Sequence, residues 1–164
     1  DISKKINGKA SIRVKKTDSF FGEINNVDFV LLFENGDLKI KNGSANIKKN
    51  SKLKFNLSLL GSGKDQRINF FVNFLSDESD NLLKKLNIIS NNKEISFNST
   101  GKINITKNEI KFDRLTVNSN KLTAEEQKKV ENLFNTQVIN DNILGFMDFF
   151  NIKKFAKSVN EELD

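Results

Sequence analysis

Residues 51–75 read SKLKFNLSLLGSGKDQRINFFVNFL. Leu53, Phe55, Leu57 and Leu59 alternate with Lys52, Lys54, Asn56 and Ser58. After the break at Gly61-Ser-Gly63, Ile68, Phe70, Val72 and Phe74 resume the same period, with Asn69 and Asn73 opposite. Successive side chains of a strand point to opposite faces, so a two-residue period marks a sheet with one dry and one wet face. Two such runs joined by a short glycine-rich break form an antiparallel pair, not a βαβ unit.

The pattern extends in both directions. Upstream, Ala10, Ile12 and Val14 alternate with Ser11, Arg13 and Lys15, and Val27, Phe29, Leu31 and Phe33 share one parity. Asn35-Gly36 predicts a tight hairpin, because both residues tolerate positive φ. Leu38 and Ile40 follow. Asn42-Gly43 reads as a second hairpin turn of the same kind, with Ala45 and Ile47 on a separate strand beyond it, and Asn50-Ser51 as a softer turn. Downstream, Asp77 to Asp80 predict the cap of a short helix near 79–88, with Leu82, Leu83 and Leu86 on one side. Strands then resume at Ile95 and Phe97, Ile103 and Ile105, and Ile110 and Phe112, with a tight turn at Lys107-Asn108. The apolar parity changes after Phe112, since Leu115 and Val117 are odd. A β-bulge at Asp113-Arg114 accounts for the change.

The character changes near residue 122. Thr123-Ala-Glu-Glu126 is a capping box, in which the hydroxyl and the carboxylate satisfy free amides at a helix start. That helix is expected to run to about Phe134. A second helical stretch carries Ile143, Leu144, Phe146, Met147, Phe149 and Phe150. A third places Ile152, Phe155, Ala156, Val159 and Leu163 on one stripe, with Lys153, Lys154 and Lys157 off it. The Phe-rich stretch 143–155 reads either as a helix that covers the sheet or as an amphipathic helix lying on a membrane. The expected fold is α+β and mainly β: a curved antiparallel meander sheet with C-terminal helices packed at one end or face. One domain spans 1–164, with the sheet to residue 120 and the helical part over 121–164.

Composition removes whole classes of chemistry. The 164 residues include no Cys, His, Pro, Trp or Tyr. Disulfides, thiolate nucleophiles, His-based catalytic triads and zinc-hydrolase sites are therefore excluded. Leu60-Gly-Ser-Gly-Lys-Asp65 superficially matches a phosphate loop, but position 58 is Ser where a Gly is needed and position 65 is Asp where a hydroxyl is needed. No pair of carboxylates stands out as an acid–base couple. The reading is non-enzymatic, with no cofactor and no metal. The net charge of +6 lies entirely in residues 1–100, which hold 17 basic and 11 acidic side chains against 10 and 10 thereafter. The Lys residues alternate singly with apolar ones, as on a solvated sheet face. Nucleic-acid readers lean on Arg and stacking aromatics. With 24 Lys, 3 Arg and only Phe to stack, no nucleic acid is expected.

Gly101-Lys-Ile-Asn-Ile-Thr106, Glu109-Ile-Lys-Phe-Asp-Arg-Leu-Thr-Val117 and Lys121-Leu-Thr123 resemble the C-terminal region of bacterial AsmA-like proteins. So does the continuation, Asn140-Asp-Asn-Ile-Leu-Gly-Phe-Met-Asp-Phe-Phe150 with Ile152-Lys-Lys-Phe155. The hairpin run Gly36-Asp-Leu-Lys-Ile-Lys-Asn-Gly43 is similar to the family's repeated strands. The resemblance implies a periplasmic envelope protein of Gram-negative bacteria that supports outer-membrane biogenesis. It implies an inner-membrane anchor outside this segment, and a long curled sheet whose apolar groove carries phospholipid. The chain starts at Asp1 with no Met, signal peptide or membrane-spanning run, as expected of a segment of a longer protein.

On this reading the groove is lined by Ile12, Val14, Phe29 and Leu31 from the first strands. Leu53, Phe55, Leu57, Ile68, Phe70 and Val72 come from the central pair, and Phe97, Ile103 and Phe112 from the last strands. Rim residues Lys52 and Lys54 are expected to meet phosphate head groups. The alternative is a structural or interaction domain whose edge at residues 10–15 stacks with neighbouring β-repeats of a longer chain and which has no ligand of its own.

Overall fold

The computed structural model describes residues 7–19, 22–47, 50–61, 66–77, 94–139 and 149–163. Its strands are β1 (Gly8–Ser19), β2 (Gly22–Glu34), β3 (Asp37–Ile47), β4 (Ser51–Leu60), β5 (Arg67–Asp77), β6 (Glu94–Asn104), β7 (Glu109–Val117) and β8 (Asn120–Lys121). They pair in sequence order as one curved antiparallel sheet that stays open, since β1 and β8 do not meet. Helix α1 (Ala124–Phe134), a π-helical turn (Asn135–Ile139) and helix α2 (Phe149–Leu163) complete the chain. The mainly β meander with C-terminal helices is the expected fold. The expected helix near 79–88 and most of the stretch 143–150 lie outside the described residues. Phe149 and Phe150 open α2, so the end of the second helical stretch and the third form one helix.

The turn at Asn35-Gly36 is as read, with φ of 53° and 88° at its two residues. Asn42-Gly43 is not a turn. β3 runs straight through it, and Asn42, at φ 55°, forms a bulge between the pairs Ile40–Leu57 and Gly43–Phe55. The long neighbouring strands decide this. β2 and β4 continue past the site on both sides, and a hairpin there would strip both of their ladder bonds. Asn56 accepts the Asn42 amide at 2.7 Å, so the bulge leaves that donor satisfied. The register shift at Asp113 between Thr100–Arg114 and Gly101–Phe112 is the bulge expected from the parity change.

The two long edges of the sheet differ. Along the outer edge of β7, the Ile110 amide donates to Asn135 Oδ1 at 2.8 Å and the Phe112 amide to Glu131 Oε1 at 2.7 Å. The Leu122 amide donates to the Leu115 carbonyl at 3.0 Å. The helical part therefore satisfies donors that an edge strand would otherwise present to other chains. β1, at the opposite edge, has β2 as its sole strand partner among the described residues.

The capping box forms as expected. The Glu126 carboxylate accepts from the Thr123 amide at 2.7 Å and from its hydroxyl at 2.8 Å, and the Glu126 amide donates back to Thr123 Oγ1 at 3.3 Å. The bond from the Thr123 amide, followed by that from its hydroxyl, holds the Glu126 carboxyl below its ordinary value of 4.5. A lowered folded-state pKa stabilises above the ordinary value, and the benefit is lost as pH falls through the folded one. Thr123→Ala is expected to cost about 1 kcal/mol of stability at pH 7. In thermal melts, the gap between wild type and Glu126→Gln should close as pH drops below about 4.5, the ordinary value.

Candidate functional site

Antiparallel register puts directly opposed residues on one face. Ile12 opposes Phe29, and Leu31 opposes Ile40, which opposes Leu57. Leu57 in turn opposes Phe70, and Phe55 opposes Val72. Leu53 opposes Phe74, which opposes Phe97. Ile68 opposes Ile103, and Phe112 meets Gly101. Val14 opposes Val27, two residues along from Phe29. All thirteen apolar candidates thus share one face, and the bulge at Asp113 is what keeps Phe112 in line with Leu115 and Val117.

Lys52 and Lys54 do not line that face. They pair with Leu75 and Asn73 on the opposite side of the sheet and are exposed. The reason is the same alternation that turns Leu53 and Phe55 inward.

Burial across the apolar face is uneven. The helical part covers one end of it. Ile152 and Ala156 of α2 pack on Ile47 with Leu53 and Phe74. Phe155 and Val159 pack on the cluster of Leu115, Leu122 and Val130 with Phe97, Phe112 and Val117. Phe155 also meets Phe134 of α1 edge-on at 5.1 Å. Beneath this end, Ser51 and Ser76 are buried and share a hydrogen bond of 2.7 Å. Towards the turns that join β2 to β3, β4 to β5 and β6 to β7, cover thins. On β3, Ala45 and Ile47 are buried, whereas Leu38 and Ile40 are half-buried. No apolar side chain of this face is buried on β1, β2, β4 or β5.

Two buried glycines set the relief of the apolar face. A Cβ on Gly43 would lie 2.6 Å from the Phe55 ring, and one on Gly101 would lie 2.8 Å from Phe70 Cζ. Each ring therefore lies over a neighbouring strand where a side chain is missing, an arrangement that shields a strand glycine with an aromatic. Phe55 approaches Phe29 at 6.4 Å, and Phe70 meets Phe112 edge-on at 5.9 Å. The resulting surface is hydrocarbon and aromatic, and its means of holding a ligand is contact area.

The other face is mainly polar, with Val30, Leu32, Leu60, Phe71 and Leu75 half-buried among its charged and amide side chains. Arg13 meets Asp28 at 2.9 Å, Lys39 meets Glu34 at 2.8 Å, and Lys16 pairs with Glu23. Hydrogen bonding to these partners lowers the Glu23 and Glu34 carboxyls and raises the Lys16 and Lys39 ammoniums. Such exposed pairs contribute little to stability. A shallow polar depression of about 480 Å³ is lined by Arg67, Asn69, Thr100, Lys102 and Asp113, with Phe70 and Gly101. Among the described residues, no group of acids could hold a metal ion, and no helix is long and apolar enough to cross a membrane.

Sequence reasoning missed the π-helical turn, whose Val138 and Ile139 are fully buried, and the way Asn135 and Glu131 close the β7 edge. Neither has a local sequence signal. No protein family, curated protein or solved structure matches the chain.

Proposed function

We propose that the chain is a non-enzymatic lipid-handling module that holds phospholipid acyl chains on the uncovered part of its apolar sheet face. The observation that carries this reading is the absence of any buried apolar side chain on that face along β1, β2, β4 and β5. An acyl chain that removes about 200 Å² of apolar surface from water gains about 5 kcal/mol, so area alone suffices to hold it. The AsmA-like resemblance supports the same reading. It would place the chain in the periplasm of a Gram-negative envelope, with an inner-membrane anchor elsewhere in the protein and a role in outer-membrane biogenesis. Titration with cis-parinaric acid, a polyene fatty acid that fluoresces on apolar protein surfaces, tests the reading. Saturable fluorescence that phosphatidylglycerol displaces is the expected result, and fluorescence no higher than in buffer would overturn it.

A second reading rests on the β1 edge. This strand of 12 residues has no partner on its outer side among the described residues, whereas the β7 edge is closed by Asn135 and Glu131. Stacking against a neighbouring β-repeat would extend the sheet by β-strand addition, and is compatible with the lipid reading.

A further inference from the structure

We infer that the trough is loaded and emptied at the end of the sheet marked by Phe33, and that this end docks on an anionic bilayer surface. The inference rests on the lipid reading above and adds the direction of access and the partner. Cover by the chain's own helical part lies at the other end, over Ile47, Leu53, Phe74 and Phe97. Phe33 pairs with Leu38, next to the Glu34–Asp37 pair that closes the Asn35-Gly36 turn, and is 44% exposed, the one exposed large apolar side chain among the described residues. Opposite it on β1 is Gly8, which has no side chain to cover the ring.

The charges at this end suit an anionic partner. Glu34 is bound to Lys39 and Glu109 to Lys111. No ion pair among the described residues involves Lys9, Arg67, Lys102 or Lys107. At this end Lys9, Arg67 and Lys102 project from the polar face and Lys107 stands in the turn between β6 and β7, against Asp37 and Asp113 as the acids outside those pairs. An exposed aromatic ring on one face of this end and cations on the other match the boundary between acyl chains and head groups. Docked there, an acyl chain passes between bilayer and trough without crossing water.

The chain contains no tryptophan, so a single introduced one reports its own surroundings. Phe33→Trp is expected to show blue-shifted emission on addition of phosphatidylglycerol vesicles and little change with phosphatidylcholine vesicles. High salt should weaken the shift, because it screens exposed charges. Lys52→Trp, at the other end of the sheet, should not shift. Lys9→Glu with Lys107→Glu, both off the trough face, should bind parinaric acid like wild type yet no longer float with anionic vesicles. Parinaric acid binding with unmoved Phe33→Trp emission would overturn the docking while leaving the lipid reading intact. A shifted Phe33→Trp in a chain that takes up no parinaric acid would support the docking and end the cargo reading. Equal shifts at both tryptophans would overturn the assignment of the mouth to this end.

Discussion

Gly101→Val is expected to lower the melting temperature by roughly 10 °C, from a loss of about 3 kcal/mol at about 3 °C per kcal/mol for a domain of this size. A Cβ at this position would overlap the Lys111 carbonyl oxygen, 2.8 Å from Phe70 Cζ and 3.0 Å from Phe112 Cα. Two of these three atoms belong to the backbone of β7, beside the bulge at Asp113, and cannot swing away. Relief would require β6 and β7 to separate where the bulge already interrupts their register. Gly43→Ala is the matched comparison. The three atoms nearest its Cβ would all belong to the Phe55 ring, the first at 2.6 Å, and a ring can turn on its own side-chain bonds. Its expected cost is about 1 kcal/mol. Thermal melts of the two variants measure the difference. Equal effects would mean that the backbone approach at Gly101 is not the governing contact.

The second large effect concerns the ligand. Leu31→Glu combined with Leu57→Glu is expected to reduce phospholipid binding at least a hundredfold. The two leucines lie in one row across β2, β3 and β4, each directly opposite Ile40. Losing roughly 60 Å² of apolar contact at each removes about 3 kcal/mol in total, and each 1.4 kcal/mol is about tenfold in affinity. The carboxylates would oppose a hydrocarbon guest further, since covering them removes their water. Both leucines are half-buried, so the fold should tolerate the change better than the ligand does. Leu31→Met with Leu57→Met keeps an apolar surface of similar volume and should bind like wild type. Lys52→Glu with Lys54→Glu reverses charge on the opposite face and should leave binding unaltered. A phospholipid titration of the three pairs against wild type checks the set. Equal losses in the methionine and glutamate pairs would point to disturbed folding rather than a lost binding surface.

The sheet was legible because its side-chain period is two and most of its apolar set stays on one face, Val30, Leu32, Leu60, Phe71 and Leu75 being the exceptions. That rule alone put Ile12, Phe29, Leu57, Phe70 and Ile103 together from five strands. The parity change after Phe112 revealed the bulge at Asp113. The same signal was present in β3, where Leu38 and Ile40 are even and Ala45 and Ile47 odd. Asn42-Gly43 nevertheless reads as a turn, because an Asn at positive φ serves a tight hairpin and a bulge equally well. Only the length of the flanking strands separates the two. The capping box was legible for the opposite reason: all its partners lie within four residues. Closure of the β7 edge by Asn135 and Glu131 spans 25 and 19 residues and involves side chains with many other uses. The thirteen apolar candidates were legible as a face. How far α2 would cover that face was not, because the stripe Ile152, Phe155, Ala156 and Val159 states that the helix packs but not where.

Native mass spectrometry tests the central claim most directly. The chain is incubated with vesicles of phosphatidylglycerol, separated from them by gel filtration and sprayed from ammonium acetate. The account predicts a population heavier than the bare chain by the mass of phosphatidylglycerol, lost in the Leu31→Glu, Leu57→Glu variant and kept in the paired methionine variant. A wild-type spectrum showing only the bare chain would contradict it.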